Sequence, residues 1–403
     1  MTTSKDKVLE GRMQMKKVAI GQAGGPTAVI NTSLVGALDA IGDKMQIYGI
    51  RNGYNGLVEN EIEPLEGHLL QWVQKNKYVP GACLGSGRYM FTKDKISKAV
   101  QNLRKHDIHC LLFIGGNGTM AALEQVSIEA KAIGYDLQVI GIPKTVDNDL
   151  GETDHAPGFG SAARYVALAA RDISKDLEAM KNFEKVRIIE TMGRNAGWLA
   201  AASGILKNNE EDGPHLIYLP EVPFEQEKFL LDIQETVNAF GMATVVVSEG
   251  VAKEGCGQVE KGHVMGRTIL GGISYELENL VQQELGFNAR AENLGMNQRS
   301  SYAAVSDQDR LEAYAVGQKA GKLALEERTK VMVSINRTNS KDYSFYLSAC
   351  PIEQVAKGGE RLLSSEFIAN RELYYNWLRP LIGSDIAPYP SALGKFSLNQ
   401  TAD

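Results

Sequence analysis

His109-Cys110-Leu111-Leu112-Phe113-Ile114-Gly115-Gly116-Asn117-Gly118-Thr119-Met120 is an apolar run that empties into a glycine-rich turn. The run reads as a buried strand, and the turn opens a helix. Gly115, Gly116 and Gly118 let the backbone approach a ligand closely, Thr119 can cap the helix, and Asn117 offers a neutral oxygen ligand or a hydrogen bond. Amide N–H groups at a helix start lack intrahelical partners, so the turn is a candidate anion seat. Strand, turn and helix in that order form the repeating unit of a parallel α/β sheet.

Working outward, the same unit recurs upstream. Lys16-Lys17-Val18-Ala19-Ile20 reads as a strand, Gly21-Gln22-Ala23-Gly24-Gly25-Pro26-Thr27 as its turn, and Val29 to Ile41 as a helix. This turn is neither GxGxxG nor GxxxxGK[ST], so a phosphate seat and a plain tight turn both remain open. Met45 to Ile50 reads as the next strand, with a turn-rich loop from Arg51 to Gly56 at its end. The loop Pro80 to Arg88 finishes in an arginine that either forks onto a phosphate or is simply solvated.

Downstream, the strand Leu137-Gln138-Val139-Ile140-Gly141-Ile142 leads into Pro143-Lys144-Thr145-Val146-Asp147-Asn148-Asp149-Leu150. Ligand sites of open α/β sheets lie outside such carboxyl ends. In an extended segment Asp147 and Asp149 point the same way. One can accept a proton from a substrate hydroxyl while the other holds magnesium, and a polar turn is the alternative reading.

The alternation then restarts. A helix from Ser161 to about Phe183 precedes a strand Val186 to Glu190, the arginine-bearing turn Met192 to Gly197, and strands His215 to Leu219 and Thr244 to Ser248. Phe224 to Phe240 reads as helical, and Glu249-Gly250 ends the last of these strands. A second α/β domain follows from this restart. Gly271 to Leu285 and Asp307 to Arg328 read as helices, Arg290 to Arg299 as a strand or crossover, and Lys330 to Ile335 as a late strand. The remainder, with Trp377, Pro380, Pro388 and Pro390, reads as a helical and loop tail.

Composition sets outer bounds. With 403 residues the chain can hold two cores, and 43% hydrophobic and 23% charged residues are those of an ordinary globular protein. A formal net charge of -6 advertises no nucleic-acid face, so anionic substrates must be met by local arginine and lysine. Cys83, Cys110, Cys256 and Cys350 lack paired spacing, which suits a reducing cytoplasm, and Cys110 reads as a small buried hydrophobe. No stretch approaches the roughly 20 apolar residues of a membrane span. Met1 to Met15 lacks the apolar centre of a signal peptide and is expected to be a disordered leader.

Taken together, these loops resemble the phosphofructokinase family from about Lys16 to Arg328. Gly24-Gly25 to Asn31 resembles its first nucleotide loop, Leu84 to Arg88 its phosphate-contacting arginine loop, Gly115 to Thr119 its GGDG[ST] loop, and Thr145 to Asp149 its TIDND loop. Met192-Gly193-Arg194, Glu249, Arg290 and Met296 to Arg299 fall where the family keeps its sugar phosphate contacts. The resemblance implies two doubly wound Rossmann-like domains with the active site in the cleft between them. Residues 16–160 with about 296–330 would bind the phosphoryl donor, residues 161–295 with about 331–360 the sugar phosphate, and 361–403 would form a helical tail.

It further implies transfer of the terminal phosphoryl group of ATP to the 1-hydroxyl of fructose 6-phosphate, in glycolysis. Asp147 would be the base, with Arg88, Lys144 and Arg194 beside it in catalysis. Gly25, Arg88, Tyr89, Gly116, Asn117, Gly118 and Thr119 would bind the donor, and Asn117 with Asp149 would hold Mg2+. Thr145, Val146, Asp147, Lys185, Met192, Gly193, Arg194, Glu249, Arg290, Met296, Asn297, Gln298 and Arg299 would bind the sugar. A homo-oligomer in the cytoplasm is expected, because family members complete the sugar site from a neighbouring subunit.

Three departures stand out: Asn117 for a metal-binding aspartate, Met296 for a histidine near the sugar, and Lys185 for an arginine that reaches the adjacent subunit's sugar phosphate, which keeps the charge and loses the fork. Lys144 resembles the pyrophosphate-using branch and Gly118 the ATP-using branch. Gly118 is weighted more heavily, since an aspartate there would stand where the α-phosphate of ATP must go. Pyrophosphate is therefore the alternative donor. An NAD or lipid kinase would leave Thr145 to Asp149 unexplained, and a noncatalytic subunit would be expected to lack Asp147.

Overall fold

The computed structural model describes residues 15–390 apart from 88–89, 254, 256, 265–266 and 341. The chain forms two compact units. The first takes residues up to 145, 150–157 and 310–359; the second takes 146–149, 158–309 and the residues from 360. The boundaries at 145 and 149 cut through the octapeptide that follows Ile142, so its residues serve both units.

The first unit is built on a seven-stranded sheet in the order Phe345–Pro351, Val331–Arg337, Gln138–Pro143, Cys110–Gly115, Lys17–Gln22, Gln46–Ile50 and Ile62–Pro64. Its interior is parallel, with Ile20 opposite Leu112 and Leu112 opposite Ile140. Strands buried on both faces read as continuous apolar runs, and these divide residue by residue between two cores. Ala19, Leu111 and Phe113 enter one core with Leu103 of helix Lys93–Lys105 and Leu123 of helix Asn117–Ala132. Val18, Ile20, Leu112 and Ile114 enter the other with Leu34 of helix Ile30–Ile41 and Val316 of helix Asp307–Leu325. Helices on both faces make the unit doubly wound. Cys110 is fully buried, as expected, and burial pushes its thiol pKa up.

The second unit has a parallel four-stranded sheet in the order Ala289–Asn293, Val186–Thr191, Ala243–Ser248 and Leu216–Tyr218. Val186, Ile188, Val245 and Val247 meet Phe229 and Ile233 of helix Gln226–Phe240 and Leu277 of helix Ile273–Leu285. Helix Phe159–Met180 also packs against this sheet. Its Phe159 joins Trp198, Phe367, Tyr374 and Trp377 in an aromatic cluster with ring centroids 5.3–6.2 Å apart. No helix among the described residues is long and apolar enough to cross a membrane.

Several expectations are corrected. Strand Val331–Arg337 does not join the second domain; it pairs in parallel with Gln138–Pro143, Val331 facing Ile140, and brings residues up to 359 into the first unit. Residues 296–309 conversely belong to the second unit. Sheet membership depends on distant pairing, which a local apolar pattern does not carry. Phe345–Pro351, read as tail, is an antiparallel edge strand, and Ile62–Pro64 is another, so the sheet is not wholly parallel. The short hairpins between Ala252 and Leu270 went unread. Arg51 to Gly56 is not only a turn: Asn52 takes a left-handed conformation, φ 53°, and helix Gly53–Glu59 starts after it. Arg290 to Arg299 divides into strand Ala289–Asn293 and short helix Asn297–Ser300. Helices Ser365–Ala369 and Arg371–Ile382 bear out a helical tail. Residues 1–14 and 391–403 lie outside the described residues, and with them nearly all of the expected leader.

Candidate functional site

In the first unit, three turns meet around Lys144. Its ammonium donates to the Gly25 carbonyl at 2.7 Å, and its backbone N–H to the Gly115 carbonyl at 3.0 Å. A Cβ on Gly24, where φ is 78°, would come within 3.3 Å of the Lys144 Nζ, so glycine leaves the ammonium its room. Gly24 donates to the Gly87 carbonyl at 3.0 Å, and the Ser86 hydroxyl to the Gly24 carbonyl at 2.7 Å. Gln22 braces the same place, its Oε1 accepting from the Leu84 N–H at 3.0 Å. Gly25, Gly116, Asn117, Gly118 and Thr119 therefore belong to one body with Lys144. Arg88 and Tyr89 lie outside the described residues.

Thr119 does not cap the helix. The cap position is Gly116, and Thr119 lies inside the first turn, where its side chain blocks any Cβ on Gly115. Asn117 and Gly118 are thus the first two helical residues. Their main-chain N–H groups lie at the helix start, where intrahelical partners are lacking and an anion is favoured.

In the second unit the structure groups Asp147, Glu249 and Arg299. Burial lowers the Arg299 pKa, and the Asp147 and Glu249 carboxylates act against that shift. A guanidinium remains charged regardless. The paired-carboxylate reading needs correction here. Asn148 has φ 53°, so the segment is not extended, and the simple alternation that would aim Asp147 and Asp149 the same way does not hold. Asparagine tolerates that conformation better than most side chains.

The Met192–Gly197 turn is tightly braced. The Met192 N–H donates to Gln298 Oε1 at 2.9 Å, and Arg194 Nη2 donates to the Thr268 carbonyl at 2.7 Å. A Cβ on Gly250 would fall 1.6 Å from the Arg194 carbonyl oxygen, so only glycine lets this backbone pass. Gln298 is buried and its amide also donates to the Gly295 carbonyl at 3.0 Å, which makes it a brace of this turn. Met296, 59% exposed, and Asn297 start the short helix that carries Arg299. Thr145, whose N–H donates to the Pro157 carbonyl at 3.3 Å, stays with the first unit and Val146 with the second.

Two of the expected sugar residues are not brought to this group. Lys185 precedes strand Val186–Thr191, and Arg290 is the second residue of strand Ala289–Asn293. The turns at Met192 and Glu249 leave the opposite ends of the same parallel strands, roughly 15–20 Å away at the usual rise per residue. The Lys185 ammonium donates to the Gly241 carbonyl at 3.4 Å, and Arg290 lies 3.6 Å from buried Glu184.

The sequence reading did not single out Ser86, Gln22, Gln258, Trp198 or Arg361. Gln258 donates to the carbonyls of Arg194 and Gly250 at 2.9 Å each. Ser86, Gln22, Gln258 and Trp198 act through main-chain atoms of other loops and Arg361 through its own main chain, and no spacing rule signals that.

The residues 17–324 match the family model described as phosphofructokinase. A protein of Alkalicoccus urumqiensis named sulfofructose kinase is 47% identical over 92% of this chain and 96% of its own. One of Rhodospirillum rubrum named pyrophosphate–fructose 6-phosphate 1-phosphotransferase is 36% identical over 91% and 94%. Relatives named ATP-dependent 6-phosphofructokinase are 28–30% identical. The crystal structure of a pyrophosphate-dependent phosphofructokinase from Marinobacter aquaeolei superimposes with a TM-score of 0.82, at 33% identity and 94% coverage of each chain. Matched by the family model over residues 17–324 and by these relatives along nearly its whole length, the chain belongs to the phosphofructokinase family.

Proposed function

We infer that the protein transfers a phosphoryl group to the 1-hydroxyl of a fructose carrying an anion on carbon 6, and that sulfofructose with ATP is its pair. The grouping of Asp147, Glu249 and Arg299 carries this reading. Asp147 accepts the hydroxyl proton, Glu249 binds sugar hydroxyls and Arg299 meets the anion, while Gly25, Gly116, Gly118 and Lys144 seat the donor. Fructose 6-phosphate, expected from the family resemblance, becomes the competing acceptor.

Two departures favour the sulfonate. Met296 replaces a histidine and Lys185 an arginine, so donors suited to a doubly charged phosphate are missing. A sulfonate bears a single charge and accepts weaker hydrogen bonds. The 47% identity to the sulfofructose kinase, against 36% to the Rhodospirillum enzyme, points the same way. The distance of Lys185 and Arg290 from the other sugar residues supports a homo-oligomer in which they serve a neighbouring copy.

Magnesium is part of the same proposal. Asn117 and Asp149 offer hard oxygens, and no described group of three or more His, Cys, Asp or Glu side chains could hold a metal by itself. That donor set suits an ion that keeps waters and shares the donor's phosphates, whose charge it neutralises when bound.

Pyrophosphate as donor is the second reading, favoured by Lys144 at the glycine turns. Steady-state kinetics over both donors and both acceptors decide. Sulfofructose with ATP is expected to give a kcat/KM at least ~10-fold above the other three pairs; fructose 6-phosphate with pyrophosphate ranking first would replace the proposal.

Gly118→Asp tests the donor side. A Cβ there meets nothing within 4 Å, and an acid in the first turn suits the helix dipole, so thermal stability is expected to hold. The KM for ATP is expected to rise by about 10-fold or more through repulsion of phosphate. Unaltered ATP kinetics would remove the steric and electrostatic account of donor choice.

A further inference from the structure

Residues 360–363 lie beyond the part of the chain that matches the family model, yet they touch both loops of the acceptor side. The Arg361 N–H donates to the Asp149 carbonyl at 2.8 Å, and the Asn195 amide donates to Glu360 Oε2 at 2.7 Å. The segment is itself fixed. Its Arg361 carbonyl accepts from the Trp198 indole N–H at 3.1 Å, the Arg361 guanidinium lies 4.7 Å from the Trp198 ring centroid, and the Leu363 N–H donates to Glu221 Oε1 at 2.9 Å.

Trp198 is only 4% exposed and sits in the aromatic cluster, with its own carbonyl bound by the Tyr374 hydroxyl at 2.6 Å. The anchor is therefore rigid. What it holds is the segment that turns through the left-handed Asn148, φ 53°.

We propose that Glu360–Leu363 is a positioning strap, which fixes the Asp149 carbonyl to the aromatic cluster and so sets the aim of the Asp147 carboxylate relative to the Arg194 turn. Arg361 is a positioning residue that acts through its main chain. The proposal rests on Asp147 as the proton acceptor. Misplacing such a group by about 1 Å costs on the order of 100-fold in rate without loosening substrate binding.

The test compares Arg361→Pro, which deletes the N–H, with Arg361→Ala, which keeps it, using whichever donor and acceptor the wild-type enzyme turns over best. Arg361→Pro is expected to lower kcat by roughly 10- to 100-fold with the acceptor KM little changed, and Arg361→Ala to lose at least about 5-fold less. Wild-type kcat in Arg361→Pro, or an equal loss in Arg361→Ala, overturns the strap. Should Arg361→Pro fail to fold, Trp198→Phe decides, since it removes the indole donor to the Arg361 carbonyl while keeping an aromatic ring in the cluster: a kcat loss of about threefold or more with the acceptor KM little changed is expected, and an unchanged kcat overturns the proposal. An Asp147→Asn variant run alongside separates the two ideas. Full activity there would sink the reading of Asp147; inactivity there with an unaffected Arg361→Pro would sink the strap alone.

Discussion

Replacing Asp147 by asparagine lowers kcat by about 10²–10⁴-fold, the usual worth of a general base, while the acceptor still binds. The acceptor KM stays level or falls. Asp147 and Glu249 both place negative charge near Arg299, so removing one carboxylate leaves more of the guanidinium's field for the substrate anion. This pairing of a lower kcat with an unraised KM distinguishes a proton acceptor from a residue that merely binds sugar, whose loss would raise KM first. Steady-state kinetics of the purified variant read both quantities, and an undiminished kcat would take Asp147 out of the reaction.

The second large effect is on stability, in the first unit. His155 is buried, with Nε2 2.6 Å from Glu312 and Nδ1 2.8 Å from Asp154. Burial by itself lowers the imidazole pKa, but the two carboxylates outweigh it and raise it to about 9. Arg337 reaches Asp154 at 3.3 Å and stands 4.6 Å over the Tyr343 ring, whose hydroxyl donates to Glu312. The Asp154 N–H donates to the Ile335 carbonyl at 2.8 Å, so the network ties residues 150–157 to strand Val331–Arg337.

Glu312→Gln strips the cluster of its main charge partner and is expected to cost about 3 kcal/mol, as when one member of a buried pair is removed. The pH dependence follows from the sign of the shift. A folded-state pKa raised above the unfolded value near 6.5 contributes stability that is complete below pH ~6.5 and lost as pH rises to about 9. Urea unfolding of the wild type should therefore weaken across that window, and Glu312→Gln should flatten the slope. Equal midpoints for the two proteins, or a wild type that stabilises with rising pH, would contradict this account.

Much of this was legible in the sequence because it is local. Apolar runs ending in glycine turns marked the parallel strands of both sheets, and the motifs around Gly24, Gly116, Thr145 and Arg194, in that order, resembled the loops of the family. What was not legible is non-local. The pairing of Val331 with Ile140, the left-handed Asn148 and the hydrogen bonds that Arg361, Gln258 and Ser86 make to other loops' main chains all depend on tertiary placement. Lys185 and Arg290 show the same limit. Their residue types suited an anion, but only the sheet shows that they lie at the strands' far ends.

In the proposed function a phosphoryl group moves to oxygen 1 of a fructose bearing an anion on carbon 6. Phosphorus NMR of the purified protein with ATP, magnesium and, in parallel samples, sulfofructose or fructose 6-phosphate tests it directly. A new phosphomonoester coupled to the carbon 1 methylene protons is expected, formed stoichiometrically with ADP. A phosphoester on any other oxygen, or ADP release without transfer to either that sugar or fructose 6-phosphate, would contradict it.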